Sequence, residues 1–187
     1  MRFRFWLFIS GGLFIIGIVA GIVFSHTISA GISALFNDQM SNLEDLVVSG
    51  LAPYQPTTAL FIFLKNALAL VISFLFSPFL CIMPVLALLF NSAFLSYFSI
   101  MVVREESLGF LLAGILPHGI IEIPALIIGE AAALGFGVSL IIALFTRDRN
   151  KTLLPAFKRN LKYLMVAIAL LVPAAIIETF ITPLFLS

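Results

Sequence analysis

The sequence predicts an all-α protein, a polytopic transmembrane helical bundle of about five net crossings. Three observations predict it. The 187 residues are 62% hydrophobic and only 10% charged, against about 45–50% apolar and 25% charged in soluble domains. A soluble fold of this size leaves roughly 30% of its surface in water and could not hide so much apolar side chain. Apolar runs long enough to cross the roughly 30 Å hydrocarbon core recur along the chain. Most of the basic residues fall in two short segments, Arg2–Arg4 and Arg147–Lys162. Ten Lys and Arg against nine Asp and Glu leave no basic excess, so nucleic acid is excluded as a partner. The single cysteine, Cys81, excludes an intramolecular disulfide and a multi-cysteine zinc site. No internal repeat or soluble second domain is visible, and residues 1–187 read as one integral membrane domain.

The first span covers about residues 5–24 and follows Arg2 and Arg4. Its apolar run exceeds the roughly 7–15 residues of a signal-peptide core, so it reads as an uncleaved anchor. Trp6 and, at the other basic segment, Tyr163 read as interfacial anchors. Gly17 and Gly21 form a GxxxG pattern, which permits close packing within the chain or a homo-oligomer. Residues 25–56 carry Asp38, Glu44 and Asp45 but no Lys or Arg. Leu35, Phe36, Met40, Leu43, Leu46, Val47 and Leu51 recur there at helical spacings, which predicts an interfacial helix within this loop. His26 reads as an interfacial residue after the first span.

The second span covers about 57–76, the Ser77-Pro78 turn follows, and the third covers about 80–101. Arg104, Glu105 and Glu106 form a polar connection. The stretch 108–145 is too long for one span and contains Pro117 and Pro124. It predicts a broken, re-entrant helix: a half-helix from Leu108 to Leu116, then a new helix starting at Pro117. The basic cluster Arg147, Arg149, Lys151, Lys158, Arg159 and Lys162 comes next, and the last span covers about 163–185. The positive-inside rule puts both basic segments in the cytoplasm and residues 25–56 outside. The 108–145 stretch must then cross a net odd number of times. This predicts a multi-pass cell-membrane protein with a cytoplasmic N-terminus and an extracytoplasmic C-terminus.

Few charged, histidine or amide side chains remain inside the apolar runs: Lys65, Asn66, Asn91, His118, Glu122, Glu130 and Glu178. An ionised group at the bilayer centre costs roughly 2.5–3.5 kcal/mol on insertion scales, so such groups must turn inward and find partners. His118 and Glu122 are four residues apart and share a helix face. With Glu178 they are candidate ligands for a divalent metal, zinc or manganese, whose chemistry suits imidazole and carboxylate. The alternative is that they hydrogen-bond across helices and order the fold. Asn66 and Asn91 suit interhelical hydrogen bonds, and Lys65 snorkels or pairs with a buried glutamate. Glu130 lies about 80° around the helix from Glu122 and shares its face only loosely. His-Glu-x-x-His and Gly-x-Ser-x-Gly are both absent, so neither a zincin nor a serine hydrolase is indicated.

The segment Pro117-His118-Gly119-Ile120-Ile121-Glu122-Ile123-Pro124-Ala125, followed by Gly129 and the small residues 131–137, resembles the signature of the stage II sporulation protein M family. Three more pieces agree in order: Phe63-Leu64-Lys65-Asn66-Ala67, Leu89-Phe90-Asn91-Ser92-Ala93-Phe94-Leu95 and Ala175-Ile176-Ile177-Glu178-Thr179-Phe180-Ile181-Thr182-Pro183. Ser92 stands where the family usually has Gly. The resemblance implies a membrane protein of about five spans that acts as a non-catalytic scaffold or assembly component in cell-envelope remodelling. Its partners would be the lipid bilayer and other membrane or envelope proteins. The family's polar positions fall here on Asn66, Asn91, His118, Glu122 and Glu178; Lys65 and Glu130 are additional candidates. Two other functions fit the same residues: an intramembrane metal-dependent hydrolase using His118, Glu122 and Glu178, and a small transporter or permease subunit.

Overall fold

The computed structural model describes residues 2–27, 53–79, 81–145 and 149–186. The interfacial helix expected within 25–56 falls almost wholly outside them, as do Leu80, Arg147 and the side chain of His26. The described residues form five long helices: α1 (Phe3–Thr27), α2 (Pro56–Phe76), α3 (Ile82–Glu105), α4 (Leu108–Leu144) and α5 (Arg149–Ile176). A π-helical turn, Ile177–Ile181, and a 3-10 turn, Thr182–Phe185, continue α5. All five helices are long and apolar enough to cross a membrane. Their outer faces fit lipid, not water: Phe8 is 80% exposed and Phe90 70%.

Local chemistry sets several of the helix ends. Pro56 opens α2, where its missing N–H has no intrahelical partner to lose. Ser107 caps α4, its hydroxyl accepting from the Phe110 N–H at 3.1 Å. Between α2 and α3, Cys81 adopts the left-handed conformation at φ 57°. That turn packs directly on Gly137 of α4. A Cβ there would meet the Ser77 carbonyl oxygen and lie 2.8 Å from the Cys81 sulfur, so only glycine lets the two backbones approach so closely.

α4 is the centre of the bundle. About half of its most apolar window is buried, against at most a third in any other helix. On one side Ala125, Ala132 and Ala133 pack with Ala67, Leu70 and Phe74 of α2 and Leu164, Ala167 and Leu171 of α5. On the other side Ala131 and Leu134 pack with Trp6 and Phe14 of α1 and Leu88 of α3. Small residues on both faces let four neighbours approach one helix. Trp6, expected at the interface as an anchor, is 7% exposed and fills this second core.

The break expected at Pro117 is replaced by a continuous helix. α4 runs 37 residues from Leu108 to Leu144 with Pro117 and Pro124 inside it. The reason is the solvent. Each proline removes one i→i−4 bond. A break within lipid would instead strand as many as four N–H and four C=O groups at the new ends. The two prolines also lie about 20° apart around the helix, so the defects share one face.

Gly17 and Gly21 face α3 of the same chain. A Cβ on Gly17 would lie 2.8 Å from the Leu89 carbonyl oxygen, and one on Gly21 2.9 Å from the Ala93 carbonyl carbon. The Ser96 hydroxyl donates to the Ile18 carbonyl across this contact at 3.0 Å. The GxxxG face is thus filled from within the chain.

Candidate functional site

The site forms where α2, α4 and the turn after α5 meet. His118 and Glu122 lie one turn apart on α4, with side chains 14% and 21% exposed. Glu178 comes from the π-helical turn. There the chain leaves regular α winding, and the wider turn sets where the carboxylate projects. Pro183 contributes to this local structure. It has no N–H to give to the Thr179 carbonyl, and the Tyr54 N–H fills that acceptor at 3.2 Å. The segment before α2 is thereby tied to the turn carrying Glu178.

One ligand atom each from His118, Glu122 and Glu178 lies within 4.8 Å of the others. The outward atoms are held. Asn66 of α2 donates through Nδ2 to Glu122 Oε1 at 2.8 Å. His118 Nδ1 lies 3.2 Å from Thr182 Oγ1, and Thr182 Oγ1 lies 3.3 Å from the Ile177 carbonyl. The carbonyl can only accept, so the threonine proton goes there, and the hydroxyl oxygen accepts from His118 Nδ1–H. This assignment leaves the lone pair of the neutral ring on Nε2. That nitrogen faces Glu122 Oε2 at 3.8 Å, too far for a hydrogen bond. An imidazole and two carboxylates therefore meet in one small volume.

Such a set suits a divalent cation. Tetrahedral ligands at about 2.0–2.1 Å from zinc sit roughly 3.4 Å apart. The three atoms need to close by an ångström or so to reach that spacing. Asn66 and Thr182 occupy the supporting positions that orient metal ligands in known sites. His118 and Glu122 also line a half-open cavity of about 170 Å³. Asn91 of α3 lines its wall, and Phe14, Phe94 and Phe98 make much of the remainder apolar.

The structure brings together His118, Glu122, Glu178 and Asn66, and places Asn91 on the same cavity. Lys65 is exposed, and its charge acts on both Glu122 and Glu178. Glu130 is elsewhere. It is 3% exposed and hydrogen-bonded by Ser73 of α2, separate from the cluster. Sequence reasoning missed Thr182, Ser73 and the Tyr54–Thr179 tie. Thr182 does carry a signal, since it directly precedes the Pro183 that ends regular hydrogen bonding there.

The fold and its exterior define a multi-pass membrane protein with a polar cluster built inside the bundle. A profile of the family described as Stage II sporulation protein M matches residues 10–183. The chain belongs to this family. It is also similar to an uncharacterized protein of Methanocaldococcus jannaschii, 40% identical over 81 residues. That match covers 42% of this chain and 44% of the relative, so less than half of the relative's length is spanned. No solved structure matches the chain.

Proposed function

We propose that this protein is a membrane component of the cell envelope whose working part is a divalent-metal centre. His118, Glu122 and Glu178 would supply the ligands, zinc or manganese the cation. The observation that carries the reading is the arrangement of Nε2 and the two carboxylates around one volume, with the outward atoms of His118 and Glu122 held by Thr182 and Asn66. Nε2 and Glu122 Oε2 face each other at 3.8 Å without a hydrogen bond between them. Three protein ligands leave a position for water, and a metal-bound water is the usual nucleophile of hydrolytic sites. The apolar wall of the cavity suits a substrate that resides in the bilayer. Metal-assisted hydrolysis of such a substrate is the activity this arrangement supports best.

A second reading keeps the protein a non-catalytic scaffold. It is favoured by the Tyr54–Thr179 tie, which with the Asn66 and Thr182 contacts fastens α2, α4 and the C-terminal turn together. The two readings part on metal content. The experiment is elemental analysis of protein purified in detergent without added metal, beside Glu178→Gln and His118→Ala. The metal reading expects close to one zinc or manganese per chain, lost in both variants while Glu178→Gln elutes and melts as a folded protein. Metal-free wild-type protein that also takes up no metal on titration would overturn it. In that case a fall in folded yield of His118→Ala would support the scaffold.

A further inference from the structure

A different end of the molecule presents a second arrangement. Phe3 of α1 stacks face to face on Tyr163 of α5, ring centroids 3.5 Å apart. This stacking brings Arg2 and Arg4 to the level of Lys158, Arg159 and Lys162. Among the described residues no carboxylate lies at this end. Glu105 and Glu106 are at the far end of α3, and Glu122, Glu130 and Glu178 lie within the spans. Among the described residues, the charge at this end of the protein is all basic.

Within that face, Lys158 and Lys162 are one helical turn apart, both exposed, with no ion pair among the described residues. They head a single stripe of α5. Leu161, Met165, Val166 and Ala169 continue it toward the membrane interior at helical spacings. These six residues form a shallow, largely open surface depression of about 490 Å³. Two ammonium groups at the basic end, with a shallow apolar strip continuing from them along the same helix face, complement one kind of molecule closely.

We propose that this stripe binds an anionic phospholipid. Its phosphate sits between Lys158 and Lys162, and an acyl chain lies along Met165, Val166 and Ala169. A zwitterionic lipid offers the same chain, but its own ammonium competes for the phosphate, so it binds more weakly. The site is independent of the His118 cluster and goes beyond the function proposed above.

The test is native mass spectrometry of the full chain in mild detergent, titrated with phosphatidylglycerol and with phosphatidylcholine. Wild-type protein is expected to retain phosphatidylglycerol about tenfold better. Lys158→Gln/Lys162→Gln should abolish that preference, and Lys158→Arg/Lys162→Arg should keep it. All four changes are on exposed positions of a helix. Equal retention of the two lipids by wild-type protein would overturn the proposal without any variant. So would a preference that survives the double glutamine change and disappears in Arg2→Gln/Arg4→Gln. Displacement of the lipid by millimolar inorganic phosphate would also overturn it, since the site would then read the anion alone.

Discussion

Gly21→Ala adds one methyl group to α1 and is expected to destabilise the protein. The new carbon would sit 2.9 Å from the Ala93 carbonyl carbon and clash with the Ser96 hydroxyl and the Ala93 carbonyl oxygen. The nearest of these obstacles include backbone, which has no rotamer to escape into. α1 and α3 must therefore separate. Overpacking of this kind costs about 1–3 kcal/mol. Separation also weakens the Ser96–Ile18 hydrogen bond, and bonds between membrane helices average about 0.6 kcal/mol. The matched control is Gly11→Ala on the same helix, where a Cβ meets nothing within 4 Å. Both changes share the helix-propensity gain of about 1 kcal/mol, so it cancels between them. Gly21→Ala should thus be less stable than Gly11→Ala by about 2–4 kcal/mol. Reversible unfolding in mixed micelles reads this directly. Trp6 is the single tryptophan and is buried inside the bundle, so its fluorescence reports global unfolding. Equal stability of the two variants would refute the packing argument. A change in oligomeric state with unaltered unfolding would show that the glycines serve a contact between chains.

Two further outcomes follow from the polar residues. Asn66→Ala removes the donor to Glu122 Oε1; on the proposed metal reading it should weaken metal binding about 10–100-fold, as loss of a supporting partner usually does, and competition with a chromophoric chelator measures it. Ser73→Ala leaves Glu130 buried without its hydrogen-bond donor and should cost about 1–3 kcal/mol in the same unfolding assay. Ser73→Ala/Glu130→Leu should recover much of that loss, because an apolar pair leaves no buried group unmatched.

Hydropathy located the five crossings well because lipid offers the backbone no partners. A long apolar run has little choice but to satisfy its own N–H and C=O groups as a helix. The same scarcity of polar partners made Asn66, His118, Glu122 and Glu178 visible from composition alone. Orientation is a separate matter. The charge pattern argues for basic ends inside, and the helices gather Arg2, Arg4, Lys158, Arg159 and Lys162 at one end of the bundle.

What sequence patterns read poorly were the outcomes of competition between neighbours. Pro117 carries the signature of a helix start, yet α4 continues through it, because stranding backbone groups in lipid costs more than two lost bonds. Trp6 looks like an interfacial anchor, but Gly135 opens room for its ring inside the bundle. Glu130, which shares the Glu122 face only loosely, is met by Ser73 on α2, a partner no periodicity announces.

The sequence by itself therefore determined that the chain spans a membrane as helices and which few side chains are too polar to face lipid. Only the tertiary structure decided which of those side chains meet. Spacing along one helix puts His118 beside Glu122. Bringing Glu178 to them from 56 residues further on depends on a π-helical turn, on a proline that frees a carbonyl and on the small residues that let α5 lie against α4. These are contacts between distant segments, and hydrophobic periodicity carries no information about them.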